Sequence, residues 1–175
     1  MDRRQFLFAA AAGAVAAACG STGASGSPSP STAATPSKAT VELATGGSFT
    51  FTLRPDKAPQ TVARFVQKAR SGFYQGLTFH RVENWVVQGG DPTGSGSGGN
   101  QVPSEYNDLP FVAGAVGIAR TSNPAQMNDS QFFIVKIDSH HLDGMYANFG
   151  LLAPSDMPVV QGIKIGDKIK TIKIE

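Results

Sequence analysis

The stretch Phe49-Thr50-Phe51-Thr52-Leu53 alternates apolar and polar side chains without a break, the pattern of a strand with one face buried and one wet. Just before it, Val41-Glu42-Leu43 leads into Ala44–Ser48, where Gly46-Gly47 suits a hairpin turn. Just after it, one helix is predicted. Pro59 stands near its start, Val62, Phe65, Val66 and Ala69 recur at helical spacing, Arg64, Gln67, Lys68 and Arg70 line the opposite side, and Gly72 stops it. The other apolar runs are short and are separated by Gly, Pro, Asn and Asp. They are Leu77–Val82, Trp85–Gln88, Val112–Ala119, Phe132–Lys136, Ala147–Leu152 and Ile169–Ile174. About eight strands in roughly 135 residues, with one clear helix, predict a mainly β domain closed as a barrel or packed as a sandwich.

The length of 175 residues suits one ordinary domain. With 20 Gly, 11 Pro and only 16% charged residues, the chain favours strands and turns over long exposed helices. The formal charge is +2, but Arg3, Arg4 and Lys38 precede the domain; from Val41 onward 12 Lys and Arg face 12 Asp and Glu. That balance offers no basic field for nucleic acid.

The N-terminus reads as an address. Asp2-Arg3-Arg4 precedes Gln5-Phe6-Leu7 and an Ala-rich apolar run that reaches Ala18. The run is roughly half the ~20 residues of a spanning helix, so it reads as an export signal. The paired arginines resemble a twin-arginine signal. Ala16-Ala17-Ala18-Cys19-Gly20 resembles a lipobox, with cleavage before Cys19 and acylation of that cysteine, although Ala16 stands where Leu is usual. The rival is a plain secretory signal beside an incidental cysteine. Cys19 is the only cysteine, so no internal disulfide can brace the domain. Ser21–Thr40 is Ser, Thr, Ala, Gly and Pro with a single charge, too polar to bury a core, and reads as a flexible tether. The expected organisation is a signal over 1–19, a tether over 20–40 and a domain over 41–175. The expected location is the outer face of the cytoplasmic membrane.

Several motifs lack the framing their chemistry needs. Gly94-Ser95-Gly96-Ser97-Gly98-Gly99 fits a dinucleotide-loop string, but Asn100-Gln101-Val102-Pro103 behind it is loop-like, not helical. The adjacent His140-His141 are poorly placed to share a metal. No serine sits in a nucleophile elbow. Chemistry without metal or cofactor is what remains. Phe79-His80-Arg81-Val82 places an arginine in an apolar strand, followed by Trp85-Val86-Val87-Gln88-Gly89-Gly90-Asp91. Arg81 there needs an acceptor or open water. Gln88 on the neighbouring run could orient it through its amide oxygen; equally, Arg81 could be a rim arginine whose stem covers apolar atoms.

Phe79-His80-Arg81-Val82, Gln88-Gly89-Gly90-Asp91, Asn128-Asp129-Ser130-Gln131-Phe132-Phe133-Ile134, and Leu142-Asp143-Gly144 with Phe149-Gly150 together resemble the cyclophilins, in the family's order and near its spacing. The resemblance spans about Val41–Glu175. It implies an eight-stranded antiparallel β-barrel capped by two helices, the second near Pro158–Gly162, and a peptidyl-prolyl cis/trans isomerase acting without a cofactor on proline-containing polypeptides, as a monomer. It implies catalytic roles for Arg81 and Gln88. It places Trp85, Ile118, Phe133, Leu142 and Tyr146 around the proline, with Val86 also binding substrate; Trp85 stands where phenylalanine is usual, Ile118 where methionine is and Tyr146 where histidine is. Ala119 and Arg120 match the strand whose backbone holds the substrate, and Gln131 completes the substrate-binding set. The segment between Arg81 and Gln88 is one residue shorter than usual, so the Trp85 match depends on the gap. His141 replaces the tryptophan of cyclosporin-sensitive members, which implies weak binding of that drug. The rival function is a non-catalytic module that holds proline segments in the cell envelope.

Overall fold

A computed structural model of the chain describes residues 37–175. The expected signal, Cys19 and the tether up to residue 36 lie outside the described residues. Strand β1, Lys38–Leu43, pairs antiparallel with β2, Ser48–Leu53, across the expected Gly46-Gly47 turn, where both glycines have positive φ. β1 starts three residues before the expected domain boundary at Val41. The cause is packing: Ala39 is fully buried and pairs with both Phe51 and Ile174.

Helix α1, Pro59–Arg70, buries Thr61, Val62, Phe65, Val66 and Ala69, the expected stripe with Thr61 added. Its N-terminus has no side-chain cap of its own. Glu105, far along the chain, accepts from the backbone N–H groups of Gln60 and Thr61 at 3.0 and 2.7 Å, satisfying donors that a helix start leaves open.

The remaining strands are β3 (Phe79–Val82), β4 (Val86–Gly89), β5 (Gln101–Pro103), β6 (Ala115–Arg120), β7 (Gln126–Val135), β8 (Asn148–Leu152) and β9 (Ile169–Ile174), with a short helix α2 at Met157–Gly162. All pairings are antiparallel, and the sheet runs β3-β4-β7-β6-β8-β2-β1-β9 with β5 pairing β7 off this path. The eight expected strands form the path, and β5 is additional. The ends of the path meet at a single bridge, Thr78↔Lys168, flanked by backbone bonds such as Phe79 N to Asp167 O at 2.9 Å. The barrel therefore closes through a thin seam and not a full ladder.

The interior holds Phe49, Phe51, Phe79, Phe132 and Phe149 from the strands and Phe65 from α1. Phe65 meets Phe51, Tyr74, Phe132 and Phe149 at centroid distances of 5.2–5.7 Å. Fully burying each such side chain contributes about 1.5–3 kcal/mol, which makes this cluster the main brace of a domain without disulfides.

Candidate active site

A second apolar cluster lies on the outer face of the same sheet. Val86, Phe111, Ala115, Phe133, Val135 and Leu142 are buried together, with Trp85 and Tyr146 packed against them. Strand periodicity creates this arrangement: Phe132 and Ile134 face the interior while Phe133 and Val135 face outward. Phe111 stacks on Phe133 at 5.6 Å and Tyr146 meets it edge-on at 5.5 Å. Gly117 lets Phe133 lie flat on β6, because a Cβ there would collide with the Phe133 and Phe111 rings.

Above this floor opens a cavity of about 450 Å³, lined by Arg81, Trp85, Val86, Gln88, Ala119, Arg120, Phe133, Leu142 and Tyr146 from the expected set, together with His80, Ser95 and Gly96. Ile118 is absent from it. It is 2% exposed and belongs to the interior cluster with Val116, because both share one strand parity while Ala115 and Gly117 take the other. The expectation that Ile118 walls the pocket is therefore corrected: that part of the lining comes from Ala119.

Ladder breaks set two rims of the cavity. The β3–β4 register shifts between Phe79 and Arg81, so the consecutive His80 and Arg81 both reach the opening. The β6–β7 register shifts between Ile118 and Arg120, so Ala119 and Arg120 both do so. Such irregularities suspend the alternation that would send neighbours to opposite faces.

Arg81 is not buried. Its side chain is 44% exposed, and its Nε donates to Glu83 Oε1 at 2.6 Å. The other oxygen of Glu83 accepts from Trp85 Nε1 at 2.8 Å, and the Arg81 guanidinium lies 5.3 Å from the Trp85 ring centroid. One carboxylate thus fixes a cation and an indole. The shortened connection between β3 and β4 makes this possible, closing as a tight turn with Glu83 N bonded to Val86 O at 2.8 Å. The bonds from Arg81 and then Trp85 hold the Glu83 carboxyl below the usual carboxylate range. Sequence reasoning missed Glu83, since a glutamate in a hairpin turn carries no pattern of its own.

Gln88 pairs with Arg81 across the ladder, but its side chain does not hold the guanidinium as expected. It donates from Nε2 to Gln131 Oε1 at 2.9 Å. Gln131 in turn donates to the carbonyls of Gly96 and Gly98 at 3.1 and 2.7 Å, tying the glycine-rich loop to the site. That loop also wraps Asp91. Burial opposes the charge on Asp91, yet the N–H groups of Thr93 and Gly96 and the Thr93 hydroxyl keep its pKa lowered. Both ring nitrogens of His80 are buried without hydrogen-bond partners. Burial, opposed by Asp91 and aided by Arg81, lowers the His80 pKa, so the imidazole is neutral at pH 7.

The groove combines an apolar floor, a fixed guanidinium and strand backbone beside it. The family described as cyclophilin type peptidyl-prolyl cis-trans isomerase/CLD matches residues 40–175. A peptidyl-prolyl cis-trans isomerase of Synechococcus elongatus is 42% identical over 121 residues, which cover 67% of this chain and 82% of that one. Peptidyl-prolyl cis-trans isomerase B of Bacillus subtilis is 38% identical over 138 residues, 76% of this chain and 94% of that one. Among solved structures, a Cryptosporidium parvum cyclophilin-type isomerase crystallised in the presence of the dipeptide Ala-Pro aligns with TM-score 0.69 at 27% identity, covering 79% of this chain and 98% of that one.

Proposed function

The chain belongs to the cyclophilin-type peptidyl-prolyl cis-trans isomerase family, and from that premise we propose that the outer groove is its active site and Arg81 its catalytic residue. As an isomerase of Xaa-Pro bonds the protein makes and breaks no covalent bond. The slow step is loss of amide resonance, with a barrier of about 18–20 kcal/mol for peptide bonds. Catalysis therefore consists of holding the twisted amide more tightly than either planar form.

The observation that carries the assignment is the placing of one exposed, pre-oriented guanidinium at the rim of an apolar pocket. The pyrrolidine ring would rest on Phe133 between Val86, Leu142 and Tyr146. The Arg81 fork could then donate to the prolyl carbonyl oxygen and toward the prolyl nitrogen, whose lone pair localises once resonance is broken; a lysine lacks that planar geometry. Arg81 needs no reorganisation to do so, because Glu83 engages Nε and leaves the terminal nitrogens for substrate. Gln88, beside Arg81 on the neighbouring strand and tied to Gln131, would orient substrate with it. Ala119 and Arg120 could pair with the preceding residue by strand addition. The Ala-Pro dipeptide of the Cryptosporidium parvum protein supports a proline-containing ligand here as well.

The assay that tests this follows cis/trans exchange of an Xaa-Pro peptide with wild type beside Arg81→Ala. Equal rates would reject the catalytic assignment and favour a module that merely holds proline segments.

The cellular setting is part of the proposal. The residues Met1–Cys19 support export and lipid attachment at Cys19, so the clients would be proteins folding outside the cytoplasm. A Cys19→Ala variant should move from the membrane to the soluble fraction. Unchanged fractionation would reject the anchor.

A further inference from the structure

Two guanidinium groups line the main cavity, and only one of them is neutralised. Arg81 pairs with Glu83 at 2.6 Å. Arg120 has no carboxylate partner among the described residues, its buried Nε has no hydrogen-bond partner, and its Nη1 reaches only the Thr121 carbonyl, at 3.5 Å. Its guanidinium is nonetheless held in place 4.9 Å from the Tyr146 ring centroid. Asp91 and Asp129, which hold Gly96 of the glycine-rich loop and Asn100 behind it, are already engaged. Asp91 takes the N–H groups of Thr93 and Gly96, and Asp129 takes Asn100 and Lys68, the latter at 3.2 Å.

Arg120 also stands at a junction. With Gln88, Gly96 and Ala119 it lines both the main cavity and a second one of about 330 Å³. The remaining walls of that second cavity are polar but uncharged, including Ser97, Gln101, Thr121, Asn128 and Gln131. A polar chamber with one cation and no anion is complementary to a carboxylate, since charge-assisted bonds to guanidinium are the stronger kind and a like charge there is penalised.

We propose that Arg120 makes this isomerase select acidic segments, taking the carboxylate of an Asp or Glu that lies just upstream of the Xaa-Pro bond into the second cavity. The inference rests on the groove being the isomerase site. With the pyrrolidine on Phe133 and the preceding residue along Ala119–Arg120, the next side chain upstream would meet the second cavity, which shares Ala119 and Arg120 with the main one.

The test uses three peptides identical except for Glu, Gln or Lys two residues before proline, with exchange rates and binding both followed by NMR. The Glu peptide should exceed the Lys peptide in kcat/KM by about tenfold at low salt, the scale of one charge-assisted bond. That ratio should shrink at about 0.5 M salt, where exposed charges are screened within a few ångström. It should approach unity in Arg120→Gln and invert in Arg120→Glu. Equal use of Glu and Lys peptides by wild type, or a ratio unchanged in Arg120→Glu, would overturn the proposal. If wild type isomerised none of the peptides, the isomerase reading would fail, and the Glu to Lys ratio of Kd in the same titrations would still decide the selectivity.

Discussion

Phe132 and Phe133 are consecutive on one strand and belong to different parts of the molecule. Phe132 is fully buried in the barrel, edge-on to Phe65, Tyr74 and Phe79. Phe133 lies on the outer face, stacked on Phe111 and met edge-on by Tyr146, and borders the cavity. The interior is sealed by packing, so its residues answer to volume. The groove is half-sealed, so its residues answer to what fills it. One sheet thus supports two apolar clusters; on the proposed function, stability resides mainly in the first and substrate binding in the second.

The comparison breaks if substitutions on the two faces do not separate stability from turnover. Phe132→Ala should lower unfolding free energy by about 3–5 kcal/mol, a transfer loss plus a cavity that the packed interior cannot collapse. That is a large share of a typical domain's stability, and chemical denaturation would measure it. Arg81→Ala should do the reverse. Its exposed side chain predicts a stability change under about 0.5 kcal/mol, whereas removing a pre-oriented donor should reduce kcat/KM about 10²–10³-fold. An Arg81→Ala protein that lost its fold along with its activity would show that the groove is structural.

Smaller effects sharpen the boundary. Phe133→Ala should cost about 1.5–3 kcal/mol, the transfer portion alone, because water can enter the open pocket. Activity should fall by about 10-fold or more as the pyrrolidine loses its platform. Gly117→Ala approaches the same platform from below. Its new methyl would collide with Phe133 and Phe111, so a loss of about 1–3 kcal/mol from overpacking is expected. Activity should fall with it, since the ring must tilt into the cavity. A Gly117→Ala enzyme with normal KM would mean that Phe133 does not form the floor.

The interior was legible because its signals are local. Phe49–Leu53 alternates, α1 shows its stripe, and each pattern is written in one short segment. The expectation for Ile118 failed because the family likeness placed that residue itself in the pocket, while strand parity turns its side chain into the interior. The first half of β7 was invisible to hydropathy. Its Asn128-Asp129-Ser130-Gln131 is polar and yet buried, satisfied by contacts such as Asn128 Oδ1 accepting from the N–H groups of Ser130 and Gln131 at 2.9 and 2.8 Å. The side-chain amides of Asn128 and Gln131 donate to the Gly98 carbonyl of the glycine-rich loop at 2.8 and 2.7 Å, a partner roughly thirty residues away that no periodicity could announce. Arg81 and Gln88 were found by their place in a motif, but the partner of each was not, because side-chain pairing depends on where a hairpin turns.

Glu83 offers the finest division between the two faces, since its carboxylate bonds only Arg81 and Trp85. Glu83→Gln should leave the fold intact and reduce kcat by about two- to fivefold, the reach of one exposed ion pair. A pH profile distinguishes positioning from mere surface chemistry. The folded-state pKa of Glu83 is lowered, by the Arg81 bond first and the Trp85 bond next. The contact is therefore complete above the ordinary carboxylate range and is lost as pH falls through the lowered value. Wild-type activity should be flat around neutrality, where His80 is already neutral, and should decline on an acid limb that Glu83→Gln lacks. An identical acid limb in both proteins would remove Glu83 from the site and leave Arg81 positioned by its strand alone.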